Sequence, residues 1–259
     1  MRDLTGKVAW ITGAGTGIGE GTALAYAAAG MKLVLAGRRV SELQRVAAKV
    51  SAAGGQVRVV ALDVANADAV QAVADSIAKQ EGRVDVLVNS AGLNVVKRNW
   101  KHLARTDWDQ VLRVDLDGAF YCCHAVLPMM RQQKDGLIIN ISSWAGRHVS
   151  ALTGPAYSAA KFGLNAMTES LNIEECGNGI RATAVCPGEV ATPILDKRPI
   201  PVSAADRARM VQPVDCGELM LFLARMPAHV CINDVTISPT WNRGTSRRRP
   251  RFRHSGSDD

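Results

Sequence analysis

TGAGTGIG, residues 12–19, is the stretch on which the fold turns. It follows the apolar run KVAWIT and opens an alanine-rich segment, 17–29, of helical character. Glycines let such a turn take positive φ angles and bring its backbone N–H groups close to a phosphate. The N-terminus of the following helix favours negative charge, so strand, glycine turn and helix together form an anion cradle. A glycine-rich turn alone is weak evidence, since tight packing produces it too; its position between strand and helix strengthens it. The spacing is not Gly-x-Gly-x-x-Gly: Thr12-Gly13 leads, three residues separate Gly13 from Gly17, and one residue separates Gly17 from Gly19.

The alternation continues along the chain. Short β-branched runs recur at KLVLAG (32–37), QVRVVALDV (56–64), VDVLVN (84–89), GLIINIS (136–142), IRATAVCP (180–187) and INDVTI (232–237). Between them lie helical segments at 40–53, 66–81, 106–131 and 154–176, then a loop-and-helix stretch to 225. Seven buried-looking strands separated by helices predict a parallel sheet covered on both faces. Right-handed crossovers then favour an α/β, Rossmann-like, doubly wound single domain over residues 1–241. Residues 189–212 hold three of the ten prolines and no clear strand, which marks a substrate loop or lid.

At 259 residues and 47% hydrophobic, the chain can bury a sizeable core. Its apolar runs are shorter than a membrane span and MRDLTGKVAW lacks signal-peptide character, so a soluble cytoplasmic protein is expected. Cys122, Cys123, Cys176, Cys186, Cys216 and Cys231 show no metal-type or redox Cys-x-x-Cys spacing and read as reduced thiols. His102, His124, His148 and His229 likewise lack metal-ligand spacing, so no metal is expected. The tail 242–259 holds six of the arginines and two aspartates, which leaves the other residues at only +3 of the formal +7. It reads as a flexible basic appendage, with nucleic-acid contact the minority reading.

Later segments strengthen the opening one. LDV (62–64), NSAG (89–92), ISS (141–143), YSAAK (157–161) and PGEVAT (187–192) follow the glycine turn in order. Together these six motifs resemble the short-chain dehydrogenase/reductase family over roughly residues 5–240. The resemblance implies a nicotinamide cofactor held by Thr12, Gly13, Gly15, Thr16, Gly17, Ile18 and Gly19. It adds Asp63 and Val64 near the adenine, then Asn89, Ala91 and Gly92 at the fourth strand. Pro187, Gly188, Val190 and Thr192 would also bind the cofactor, with Thr192 and the 188–190 backbone holding the carboxamide, and a homo-tetramer or dimer is implied as well. At the end of the second strand an acid would bind the ribose hydroxyls of NAD; here LAGRR places Gly37 there, followed by Arg38 and Arg39. Forked guanidinium groups suit a 2′-phosphate, so NADP is favoured and NAD is the alternative.

GPAYSAAKFGLNAMTESLNIEE reads as a helix with Pro155 in its first turn. Residues four apart share a face, which puts Tyr157 and Lys161 on one side. A free tyrosine, with a pKa near 10, is a poor base at neutral pH, and a nearby lysine cation favours the tyrosinate. Hydride exchange at a carbon needs proton exchange at the adjoining oxygen, so the pair suits carbonyl/alcohol chemistry. By resemblance, Tyr157 exchanges that proton, Lys161 supports it and also bonds the cofactor ribose, and Ser143 holds the substrate oxygen. Side chains alternate along a strand, so only one of Ser142 and Ser143 faces the cleft; family spacing points to Ser143.

One position departs from the family. VDL carries Asp115 where the pattern has asparagine, whose amide helps order a water relay behind the lysine. Trp108, Val111, Leu112, Asp115, Ala119 and Cys122 share one helical stripe, so Asp115 faces inward. A relay carboxylate, a locally satisfied structural acid and a damaged relay are the three readings of it. Lys97, Arg98, Arg147, Lys197 and Arg198 border the substrate loops and leave an anionic substrate open. The leading expectation is an NADP(H)-dependent oxidoreductase acting on a small-molecule carbonyl or secondary alcohol. The competing one is a non-enzymatic, nucleotide-sensing protein that uses its basic tail.

Overall fold

The computed structural model describes residues 1–198 and 201–241; the tail 242–259 and two residues of the 189–212 segment lie outside the described residues. β1 (Val8–Thr12), β2 (Lys32–Gly37), β3 (Gln56–Ala61), β4 (Val86–Asn89), β5 (Gly136–Ile141), β6 (Ile180–Pro187) and β7 (Asp234–Ile237) form one sheet. Every pairing is parallel and the order is β3-β2-β1-β4-β5-β6-β7. β1, β4, β5 and β6 are buried at every position because their runs of Val, Ile, Leu and Ala meet apolar neighbours on both faces. The edge strands β3 and β7 are only partly covered. LDV, expected to prolong β3, leaves the sheet at Leu62.

Side chains alternate between two cores. Val8 and Trp10 point toward α3 (Ala67–Gln80), α5 (Gly118–Gln133) and α6 (Pro155–Glu175). Ala9 and Ile11 point toward α1 (Gly17–Ala28), α2 (Val40–Ala52) and α8 (Pro213–Ala224). After β3 the chain crosses to the other side of β1 to lay down β4, so the loops after β1 and β4 diverge and open a crevice at the strands' carboxyl ends. No helix among the described residues is long and apolar enough to cross a membrane.

α1 and α8 cross at two glycines. A Cβ on Gly21 would overlap the Pro213 carbonyl, and one on Gly217 would overlap the Gly21 carbonyl. Gly21→Ala is therefore expected to destabilise by about 1–3 kcal/mol through overpacking, despite alanine's better helix propensity. Urea unfolding checks this: an unchanged midpoint would mean the helices separate without cost.

Two regions differ from the sequence reading. The helix expected over 106–131 is α4 (Arg105–Leu112) and α5, joined by a π-turn, Arg113–Asp117, that contains Asp115. The 189–212 segment is folded on itself: Val190 bridges Val211, and Pro193–Lys197 and α7 (Ala204–Ala208) form short helices. Leu195, Val202 and Met210 give it a small core of its own.

Candidate active site

The β1–α1 turn is built for close approach. Gly13 has φ +63°, and a Cβ there would lie 2.7 Å from the Ala91 nitrogen. Gly17, at φ +59°, sits with Thr192 Cγ2 2.9 Å from where its Cβ would be. Only glycine meets both demands, the left-handed backbone and the missing side chain. Thr16 is the N-cap of α1 but its side chain makes no capping bond, which leaves the first-turn N–H groups for an outside acceptor. From α2, Arg45 donates to Gly15 O at 2.9 Å and pairs with Glu20, clamping the turn from behind.

Those elements border a cleft of about 440 Å3, within the ordinary range for ligand sites. Its lining includes Gly13, Gly15, Thr16, Ile18, Gly37, Arg38 and Arg39, with Asp63 and Val64. Ala91 and Gly92 line it too, as do Pro187, Gly188, Val190 and Thr192. Thr12, Gly17, Gly19 and Asn89 are not among the lining residues. Thr12 Oγ1 accepts from the Ser90 and Ala91 N–H groups at 3.2 Å each, pinning the β4 loop to β1. Asn89 Nδ2 donates to Asn140 Oδ1, and Asn140 Nδ2 to Thr168 Oγ1, both at 2.9 Å, tying β4 and β5 to α6. The glycine cradle and uncapped helix N-terminus fit the phosphates of a dinucleotide.

Ser143, Tyr157 and Lys161 line the same cleft. Ser143 lies two residues past the end of β5 and caps a short 3-10 turn, its Oγ accepting from the Ala145 N–H at 3.1 Å. Its hydroxyl proton is not used in that bond, and the hydroxyl acts on Tyr157 to lower its phenol. Ser142 turns the other way: its Oγ donates to Lys161 O at 3.2 Å, holding α6 against the sheet. The Lys161 ammonium is 3% exposed, lies 5.4 Å from the centre of the Tyr157 ring and donates to Ile141 O at 3.0 Å.

Asp115 is 1% exposed and faces inward, as its stripe predicts. Its Oδ2 lies 3.3 Å from Lys161 Nζ, and its Oδ1 accepts from the Leu93 N–H at 2.8 Å. Gly92 leaves the room for this pair, since a Cβ there would come within 3.2 Å of Oδ2. Burial pushes the Asp115 carboxyl up, opposed by Lys161 and the Leu93 N–H. Burial pulls the Lys161 ammonium down, but Asp115 and Tyr157 together carry it above its ordinary value. For Tyr157, burial outweighs Lys161 and raises the phenol, with Asp115 raising it further and Ser143 and Arg198 acting the other way. From sequence, the lysine cation favours tyrosinate and the positive ring of an oxidised nicotinamide would add to it; desolvation, invisible in sequence, turns the protein's own net effect the other way.

The sequence profile described as short chain dehydrogenase matches residues 7–200. The chain belongs to the short-chain dehydrogenase family. An oxidoreductase of Staphylococcus aureus (strain USA300) is 35% identical over 239 residues, covering 92% of this chain and all of that one. A 3-oxoacyl-[acyl-carrier-protein] reductase of Synechocystis is 38% identical over 243 residues, 92% of this chain and 97% of the reductase. A crystal structure of a metagenomic short-chain oxidoreductase in complex with NADP superposes with a TM-score of 0.81 at 32% identity, over 93% of this chain and 100% of the other. This short-chain dehydrogenase is accordingly a nicotinamide-dependent oxidoreductase.

Several positioning residues of this short-chain dehydrogenase escaped the sequence reading. Arg45, Ser142, Asn140 and Thr168 act on partners 19 to 30 residues away, and no local periodicity marks such pairs. The π-turn has no sequence signal of its own.

Proposed function

We propose that this short-chain dehydrogenase interconverts a carbonyl and a secondary alcohol using NADP(H), with Tyr157 as general acid and base. The observation that carries this reading is the convergence of the Ser143 hydroxyl, the Tyr157 phenol and the Lys161 ammonium at one end of a glycine-cradled cleft. Thr16, Arg39 and the glycine turn would hold the phosphates, and Thr192 the far end. Bound there, the nicotinamide would supply or accept hydride at the substrate carbon. The protein's share is the proton. Ser143 and Tyr157 both donate toward the substrate oxygen, and in reduction Tyr157 gives up its proton as charge develops there. The nearby Lys161 ammonium stabilises the tyrosinate left behind. In oxidation the same tyrosinate takes the proton back.

Two observations support the 2′-phosphate form. Arg39 Nη2 donates to Thr16 Oγ1 at 3.2 Å, which draws its guanidinium over the glycine turn. A Cβ on Gly37 would meet only Leu43, at 3.7 Å, so packing does not exclude an acid there. Replacing Arg38 and Arg39 by alanine is expected to weaken NADPH binding by roughly 10- to 100-fold, the worth of one or two charge-assisted hydrogen bonds, and to leave NADH binding nearly unchanged. Fluorescence titration with both cofactors, alongside turnover on a carbonyl and alcohol panel, tests the reading. Equal losses for both would remove the case for NADP, and no turnover with either cofactor would sink the proposed reaction.

A further inference from the structure

Beyond Tyr157 the cleft wall changes character. Leu152, Ile194 and Leu195 supply apolar surface, and Arg98 and Arg198 supply charge. Arg98 is 8% exposed, unusual for a loop arginine. Its loop is locked to the entry of α6, the helix that carries Tyr157. Asn94 Nδ2 donates to Thr153 O at 3.0 Å, and Gly154 packs so tightly that a Cβ there would overlap the Arg98 carbonyl. Arg198 follows the short helix Pro193–Lys197 and forms an ion pair with Glu189.

The three groups are close enough to act on one another. Burial and the positive charge of Arg198 lower the Arg98 guanidinium, and Tyr157 works against them. Arg198 in turn acts on Tyr157. Both guanidinium groups line the cleft, and the carboxylate of Glu189 holds Arg198. Guanidinium forks match carboxylate and phosphate oxygens in pairs, whereas they give a neutral ketone no comparable hold.

We propose that the substrate is a carbonyl compound bearing an anionic group, carboxylate or phosphate, which Arg98 and Arg198 bind while its carbonyl faces Tyr157 and Ser143. The proposal rests on the carbonyl-reducing reading of the cleft and narrows it to one class. The apolar patch of Leu152, Ile194 and Leu195 then covers the short carbon chain between the two polar ends.

Matched pairs test it: acetoacetate against methyl acetoacetate, and dihydroxyacetone phosphate against dihydroxyacetone, each reduced with NADPH by the full-length protein. At least one charged member is expected to exceed its neutral partner in kcat/KM by roughly 10- to 100-fold. The two pairs tell carboxylate from phosphate. In Arg98→Met that ratio should fall toward one, and in the less enclosed Arg198→Gln it should fall partway; melting curves confirm that both variants fold. Neutral members turned over as well as charged ones, or a ratio unmoved in both variants, overturns the proposal. Calorimetric titration of malonate into the NADP+ complex separates the two layers. Binding that Arg98→Met abolishes, with no turnover of any of the four, would uphold the anion site and defeat the carbonyl-reducing reading. Absence of malonate and phosphate binding together with unselective turnover would do the reverse.

Discussion

Tyr157→Phe is expected to lower the rate of carbonyl reduction by on the order of 10^2- to 10^4-fold, the usual worth of a positioned general acid. The phenyl ring stays and only the hydroxyl goes, so the melting temperature should hardly move. Undiminished turnover would end the proposed mechanism. The pH dependence follows from the same site. Burial raises the Tyr157 phenol above its ordinary value, with Lys161 opposing and Asp115 adding to it. The protonated form, the one that reduction needs, therefore persists through neutral pH and is lost only in the alkaline range. Oxidation needs the tyrosinate, so its rate should climb as pH rises where reduction falls. Profiles of kcat/KM in both directions check this, and an oxidation rate that peaks below neutral pH would contradict it.

Asp115→Leu is expected to cost about 3–5 kcal/mol of stability, because it strips the counter-charge from a buried ammonium. Lys161 would keep its bond to Ile141 O but lose the carboxylate 3.3 Å away, and the Leu93 N–H would lose its acceptor. Denaturant unfolding measures this, and a loss below about 1 kcal/mol would show that Lys161 is satisfied without Asp115. Asp115→Asn should be far milder, since an amide oxygen still accepts from Leu93. Its effect belongs in the pH profile. Asp115 is one of the groups that push the Tyr157 phenol up, so removing its charge should move the rise of oxidation to lower pH. An unmoved profile would confine Asp115 to a structural role. Of the three readings that its sequence position left open, the geometry favours a carboxylate that holds Lys161 in place.

The sheet was legible because its strands are buried on both faces. Continuous runs such as VAWIT and GLIINI mark a parallel sheet wherever they fall between amphipathic helices. The glycine turn was legible for a related reason: Gly13 and Gly17 occupy left-handed backbone against neighbours that leave no room for a side chain. The inward direction of Asp115 could be read from helical spacing, but the π-turn that presents it could not, because backbone hydrogen-bond register leaves no trace in hydrophobic period. The 189–212 segment lacked a strand or strong helix, and its compactness comes from Leu195, Val202 and Met210, which meet only after folding.

By itself the sequence determined the parallel doubly wound architecture, the cradle at residues 12–19 and the chemical types gathered in Ser143, Tyr157 and Lys161, since each depends on residue identity and short-range spacing. Tertiary structure alone decided the rest: that Asp115 faces Lys161, that the Ser142 hydroxyl holds the Lys161 carbonyl, and that Arg98 and Arg198 line the same cleft as Tyr157. Those outcomes depend on burial and on distances between segments far apart in the chain. Desolvation then sets the direction in which the buried Tyr157 titrates, an energy that no spacing of letters carries.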